Sequence, residues 1–206
     1  MTDFLTDEEK AEQIKGWIKE NGISVVVGIS LAVGGLFGFR YWQNYQITQS
    51  EEASALYAEI QQLGAKNKEQ TYHKVAQLKA DYASTPYASL AAMVAAKQLA
   101  SQDDNEKAIS ELQWTVDNAP EKVSKDLAKL RLARVYIANK QLDKATAVLA
   151  EDFPAAYLSL VDELKGDIHF AKKEIDQAKT SYDKALLSSQ GAATDYLKMK
   201  RDDLGS

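Results

Sequence analysis

The sequence predicts an all-α protein in which a single transmembrane helix near the N-terminus is followed by a solenoid of stacked helix pairs. Three observations carry this prediction. An uncharged run of seventeen residues extends from Ile23 to Phe39. The remainder is rich in Ala, Leu, Gln, Lys and Glu, holds only three prolines (Pro86, Pro120, Pro154), and shows no sustained alternation of β-branched residues. A pattern of small and large residues returns at intervals of 33 to 37 positions. At 206 residues, the chain has room for one domain with a sizeable core plus an appendage.

The apolar run comes first. As a helix it is about 25 Å long, the short end of what spans a bilayer core. Its flanks extend that reach: Trp17 stands on one side, and Tyr41, Trp42 and Tyr45 on the other, where amphipathic rings favour the headgroup level. Lys19 and Arg40 can snorkel from the two ends. A signal peptide would show a shorter apolar region and a small-residue cleavage site, whereas this run leads into Phe39, Arg40, Tyr41 and Trp42. A buried helix of a soluble core would keep some polar periodicity, and this run keeps almost none. We therefore divide the chain into a tail (1–22), a transmembrane helix (23–42) and a C-terminal domain (43–206). Orientation follows Lys and Arg near the ends. Lys10, Lys15 and Lys19 precede the span, and Arg40 alone follows it until Lys66, which places the N-terminus in the cytoplasm and the large domain outside it. The acidic tail is expected to be disordered up to about Glu8. Ser30, Gly34 and Gly38 fall on one helical row, with Ser24, Gly28, Ala32 and Gly35 on nearly the opposite face. Such small residues let a second membrane helix approach closely, so the first row is the candidate transmembrane contact.

Beyond the span, the first helix is expected to continue to a C-cap at Gly64. The next covers Glu69 to Ala83, and Ser84 and Thr85 offer an N-cap for the helix opening at Pro86. Repeats then appear. A shift of 33 pairs Ala133 with Gly166, Tyr136 with His169, Ala145 with Ala178, and Leu149 with Tyr182. An earlier copy supplies Ala96, Leu99, Ala108 and Leu112. Each slot has a packing reason. A small residue in the first helix admits the second helix, a large one fills the gap, another small one marks the tightest approach, and a bulky one packs into the next unit. One hairpin cannot bury its apolar face alone, so units stack. This order at this spacing is the tetratricopeptide (TPR) pattern, and it predicts a TPR-like α-solenoid with units at about 86–120, 123–153 and 156–189. The two helices before Ala83 are a candidate divergent fourth unit. Lys140 and Lys173 stand where the pattern usually has glycine.

Chemistry is sparse. Formal net charge is −5 without a long basic run, which argues against nucleic acid. The chain has no cysteine, so disulfides, thiolate metal sites and cysteine nucleophiles are excluded. No nucleophile-elbow, zinc-protease, phosphate-loop or dinucleotide motif occurs, and the glycines cluster in the apolar run. Of two histidines, His73 reads as surface and His169 as a packing residue. Asp103 with Asp104, and Asp202 with Asp203, read as solvated loop and terminal residues. The chain is expected to be non-catalytic, with no cofactor and no metal. What remains is surface. In a stacked array the first helices line the concave face, and by register Met93, Lys97, Leu130, Arg134, Ile137, Asp167 and Phe170 point there. Such a groove suits an amphipathic or extended polypeptide.

Several stretches together resemble one family. They are Glu20–Asn21–Gly22 before the span, the glycine-rich span itself, and Arg40–Tyr41–Trp42 after it. Ala53, Ser54, Leu56 and Tyr57, the run Leu130–Val135 (LRLARV), and Met199, Lys200 and Leu204 complete the set. In these the sequence resembles the YfgM-like proteins, ancillary subunits of the bacterial Sec translocon. The resemblance implies an inner-membrane protein with one N-terminal helix and a periplasmic TPR-like domain. It further implies association with the SecYEG channel and with a PpiD-like periplasmic chaperone, and possible contact with translocating polypeptides besides membrane lipid. No catalytic residues carry over. The competing expectation is a self-associating structural membrane protein with a peptide-binding TPR domain.

Overall fold

The structure, a computed structural model, describes residues 6–64, 67–189 and 192–205, and all regular structure among them is helical. Helix α1 (Asp7–Leu63) opens on a capping box. The Thr6 hydroxyl accepts from the Glu9 backbone N–H at 3.4 Å, and the Glu9 carboxylate accepts from the Thr6 backbone N–H at 2.8 Å. Asp7, Glu8 and Glu9 add negative charge at the positive end of the helix dipole. Thr6, Asp7 and Glu8 thus form the cap and first turn of a helix where disorder is expected; the rest of that tail lies outside the described residues.

Two compact units divide between Gln49 and Ser50. In the first, α1 presents its apolar side chains outward: Ile23 is 84% exposed, and no residue of its most apolar stretch is buried. This is the one helix among the described residues that is long and apolar enough to cross a membrane. A core helix of a soluble domain would cover these groups with protein. Side chains built on Gly34 and Gly38 would meet nothing within 4 Å, so that row is open.

The second unit begins with the last turns of α1, which bury Ala53 and Ile60. These pack with Val75 and Leu78 of α2 (Lys68–Asp81) and with Ala88, Ala91 and Ala95 of α3 (Pro86–Ala100). Gly64 ends α1 at φ +51, the left-handed position expected of a C-cap glycine. Thr85 occupies the N-cap of α3 without acting as one: its hydroxyl donates to the Tyr82 carbonyl at 2.8 Å and closes the preceding turn instead.

Three helix pairs follow. They are α3 with α4 (Asn105–Asn118), α5 (Lys122–Ala138) with α6 (Leu142–Leu149), and α7 (Leu158–Ala171) with α8 (Ile175–Ser188). A 3₁₀ turn at Ala155–Tyr157 leads into α7, and α9 (Ala192–Asp202) follows the last pair. One turn joins the helices of every pair. Asp103, Lys140 and Lys173 have φ of 60°, 56° and 64°, and the N–H of the next residue donates to the carbonyl of Leu99, Tyr136 or His169 at 3.0, 2.8 and 2.9 Å. This is a Schellman closure with lysine or aspartate in place of glycine.

The packing slots fill as the register requires. Ala96, Ala133 and Gly166 are buried, as are Ala108, Ala145 and Ala178, and Leu112, Leu149 and Tyr182. The third pair exchanges sizes. A Cβ on Gly166 would lie 2.4 Å from the Tyr182 ring, so glycine gives up the volume that the larger aromatic takes. His169 sits at the edge of its pair with Nδ1 2.6 Å from a Glu174 carboxylate oxygen, and His73 is exposed.

Candidate functional site

The first helices of successive pairs are neighbours, α3 beside α5 and α5 beside α7. Between α3, α4 and α5 lies a cavity of about 340 Å³. Its floor is apolar, with Met93, Ala96, Ala100, Leu112 and Val135, and its rim carries Lys97, Arg131 and Arg134. Lys97 also borders a second cavity of about 270 Å³ between α1 and α3, which includes Ile60, Gln61 and Val94. The two hollows share that lysine as a wall.

The structure sorts the seven groove residues expected from register. Met93, Lys97 and Arg134 meet in the first cavity. Met93 and Leu130 are both buried in the central core and offer almost no surface of their own. Lys97, Arg134 and Phe170 are exposed, and Ile137 is half-buried. Asp167 is occupied from within the chain. Its carboxylate accepts from the Tyr182 hydroxyl at 2.7 Å and from Lys200 of α9 at 2.8 Å. Register assigns Asp167 to the groove face but carries no sign that Lys200 of α9 reaches it. Ser30, Gly34 and Gly38 of the candidate membrane contact lie in the first unit, all exposed.

Two participants went unnoticed in the sequence. Arg131 falls between Leu130 and Arg134, half-buried on the groove side. Burial, and then the charge of Arg134, lower its pKa from the usual arginine range. Glu163 occupies the third-pair slot that Met93 and Leu130 hold in the earlier pairs, and it accepts from Lys200 at 2.8 Å. The repeat alignment itself contains that signal, because a carboxylate at a buried apolar slot requires a partner. Lys200 satisfies both acids and lies 4.9 Å from the Tyr196 ring centre. Burial pulls the Lys200 pKa down, but its bonds to Asp167 and Glu163 outweigh that and raise it on balance. Burial, followed by the bond to Asp167, raises the Tyr182 phenol. Such a cluster locks α9 to α7.

Comparison with known proteins fits this geometry. The model of the tetratricopeptide repeat-like domain family matches residues 15–206. An ancillary SecYEG translocon subunit of Haemophilus influenzae is 30% identical, over 97% of this chain and 98% of its own. One from Escherichia coli is 27% identical over 98% of each, and one from Neisseria gonorrhoeae is 28% identical over 99% of this chain and all of the relative. No solved structure gives a significant match. Helix pairs, shared turns and full-length likeness agree: the chain belongs to the tetratricopeptide repeat-like domain family and, within it, to the ancillary SecYEG translocon subunits.

Proposed function

We propose that this protein is a non-catalytic accessory subunit of the Sec translocon, held in the bacterial inner membrane by the span in α1. In this reading the N-terminus is cytoplasmic and the helix pairs stand in the periplasm, scaffolding a PpiD-like chaperone near the channel to assist emerging polypeptides. The observation that carries it is the pairing of an unburied apolar helix with full-length likeness to relatives named as SecYEG subunits. Orientation draws support from Lys10, Lys15 and Lys19 before the span against Arg40 after it. A non-catalytic role draws support from titratable clusters that serve packing and α9 docking.

Purification from inner membranes in mild detergent tests the partner assignment. SecYEG and a periplasmic chaperone are expected to co-purify with the full chain; their absence, with only self-crosslinks recovered, contradicts it. Because the chain lacks cysteine, a single Ser101→Cys substitution tests topology. A membrane-impermeant maleimide is expected to label it in spheroplasts, and labelling only after lysis reverses the orientation. One observation favours the second reading, a self-associating membrane protein: the Ser30, Gly34 and Gly38 row faces open space. Under that reading Gly34→Ile disperses homodimers and leaves SecYEG recovery unaffected.

A further inference from the structure

Three cations surround the cavity between α3, α4 and α5, and no carboxylate answers them. Lys97, Arg131 and Arg134 form no ion pair among the described residues. The chain as a whole carries a net charge of −5, so this rim opposes the sign of the rest of the molecule. Such an arrangement opposes itself in the absence of an anion, since Arg131 and Arg134 repel one another at a partly desolvated site.

The protein contains its own demonstration of how these positions are used. Lys97, Arg134 and Asp167 are the same slot in the three pairs, and Met93, Leu130 and Glu163 are the slot one helical turn earlier. In the third pair both slots are acidic, and a cation from the adjoining helix α9 reaches them at 2.8 Å. The first two pairs have the opposite sign in the exposed slot and apolar side chains in the buried one. The complementary occupant therefore carries carboxylates beside an apolar group. We infer that the cavity between α3, α4 and α5 binds an acidic polypeptide segment, an apolar side chain entering over Ala96, Ala100 and Leu112 while its carboxylates meet Lys97, Arg131 and Arg134. A bare anion leaves the apolar floor in water, and a neutral peptide leaves the cations unanswered; only the combined chemistry satisfies both. The sign contrast also favours the encounter, because the rim is positive on a chain whose net charge is −5. This inference rests on the reading of the helix pairs as a partner-binding body.

Its test uses the full chain in nanodiscs of zwitterionic lipid and two short fluorescein-labelled peptides, one built of leucine and glutamate and one of leucine and lysine. The glutamate peptide binds and the lysine peptide does not. Arg134→Gln and Arg131→Gln each weaken binding roughly tenfold, as loss of a charge partner at a partly desolvated contact does. Lys198→Glu, on the exposed side of α9, leaves it unchanged. Arg134 is exposed, so its variant stays informative should Arg131→Gln disturb folding. Equal binding of the two peptides, or wild-type affinity in Arg134→Gln, overturns the inference. Displacement by inorganic phosphate as effective as by unlabelled peptide also overturns it, identifying a bare-anion site. Recovery of SecYEG is measured alongside. Normal recovery without peptide binding sinks the acidic-segment inference alone, whereas peptide binding without SecYEG sinks the translocon reading alone.

Discussion

The third helix pair and the two before it present the same positions on their first helices with opposite electrostatics. In the third, Glu163 and Asp167 are closed by Lys200 of α9, and Tyr182 adds its hydroxyl to Asp167. In the first two, Lys97 and Arg134 stand exposed above buried Met93 and Leu130. The difference teaches that the same slots can be closed from within the chain where a helix supplies the complementary charge, and stay open where none does. Behind the third pair a single helix docks, and its Lys200 answers the charge of the slots it meets.

The contrast can be broken most strongly at the aromatic that only the third pair uses. Tyr182→Ala removes a buried ring facing a glycine and is expected to cost about 3–5 kcal/mol in urea unfolding. A loss under about 1 kcal/mol, close to the cost of a surface change, would mean that the third pair does not depend on this exchange of sizes. Gly166→Ala drives a methyl into the same ring, 2.4 Å away, and is expected to cost about 1–3 kcal/mol. Adding Tyr182→Leu restores the alanine–leucine pairing of the other two units and is expected to recover most of that loss.

Smaller effects sharpen the electrostatic side. Lys200→Met leaves two carboxylates without their partner and is expected to cost about 1–2 kcal/mol, while Arg134→Met, with no partner to strand, costs under about 0.5 kcal/mol. The Lys200 contribution also has a definite pH signature. Its folded-state pKa lies above the ordinary lysine value of 10.5. The stabilisation is therefore fully present below that value and is lost as pH rises through the raised one. The gap in thermal midpoint between wild type and Lys200→Met should hold steady through neutral and mildly alkaline pH and close only beyond 10.5. Smallest of all, Lys140→Gly relieves a left-handed residue at φ 56° and is expected to stabilise by about 0.5 kcal/mol.

The helix pairs were legible because their slots are short-range. Ala133 and Ala145, or Ala96 and Ala108, sit at the separation that a single hairpin imposes, and packing demands small residues where its two helices meet. The turns were half legible: Lys140 and Lys173 stood at the glycine position, but only the structure shows both adopting glycine's left-handed backbone. The candidate site was less legible, for a physical reason. Register gives the angle at which a residue leaves its helix and says nothing about how deeply neighbours cover it. Met93 and Leu130 share the direction of Lys97 and Arg134 yet lie under adjoining helices. The Lys200 contacts come from a helix outside the period, so no internal alignment could place them. The capping box at Thr6 and Glu9 is readable from its spacing, but the acidic composition of the tail points to disorder instead.

Site-specific photocrosslinking in intact inner membranes tests the central claim most directly, with a crosslinking residue placed at Gly34 in the span or at Ile137 beside the groove. A membrane-anchored accessory subunit yields a Sec channel subunit from position 34 and a periplasmic polypeptide other than itself from position 137. Adducts only between copies of this chain, from both positions, would contradict it.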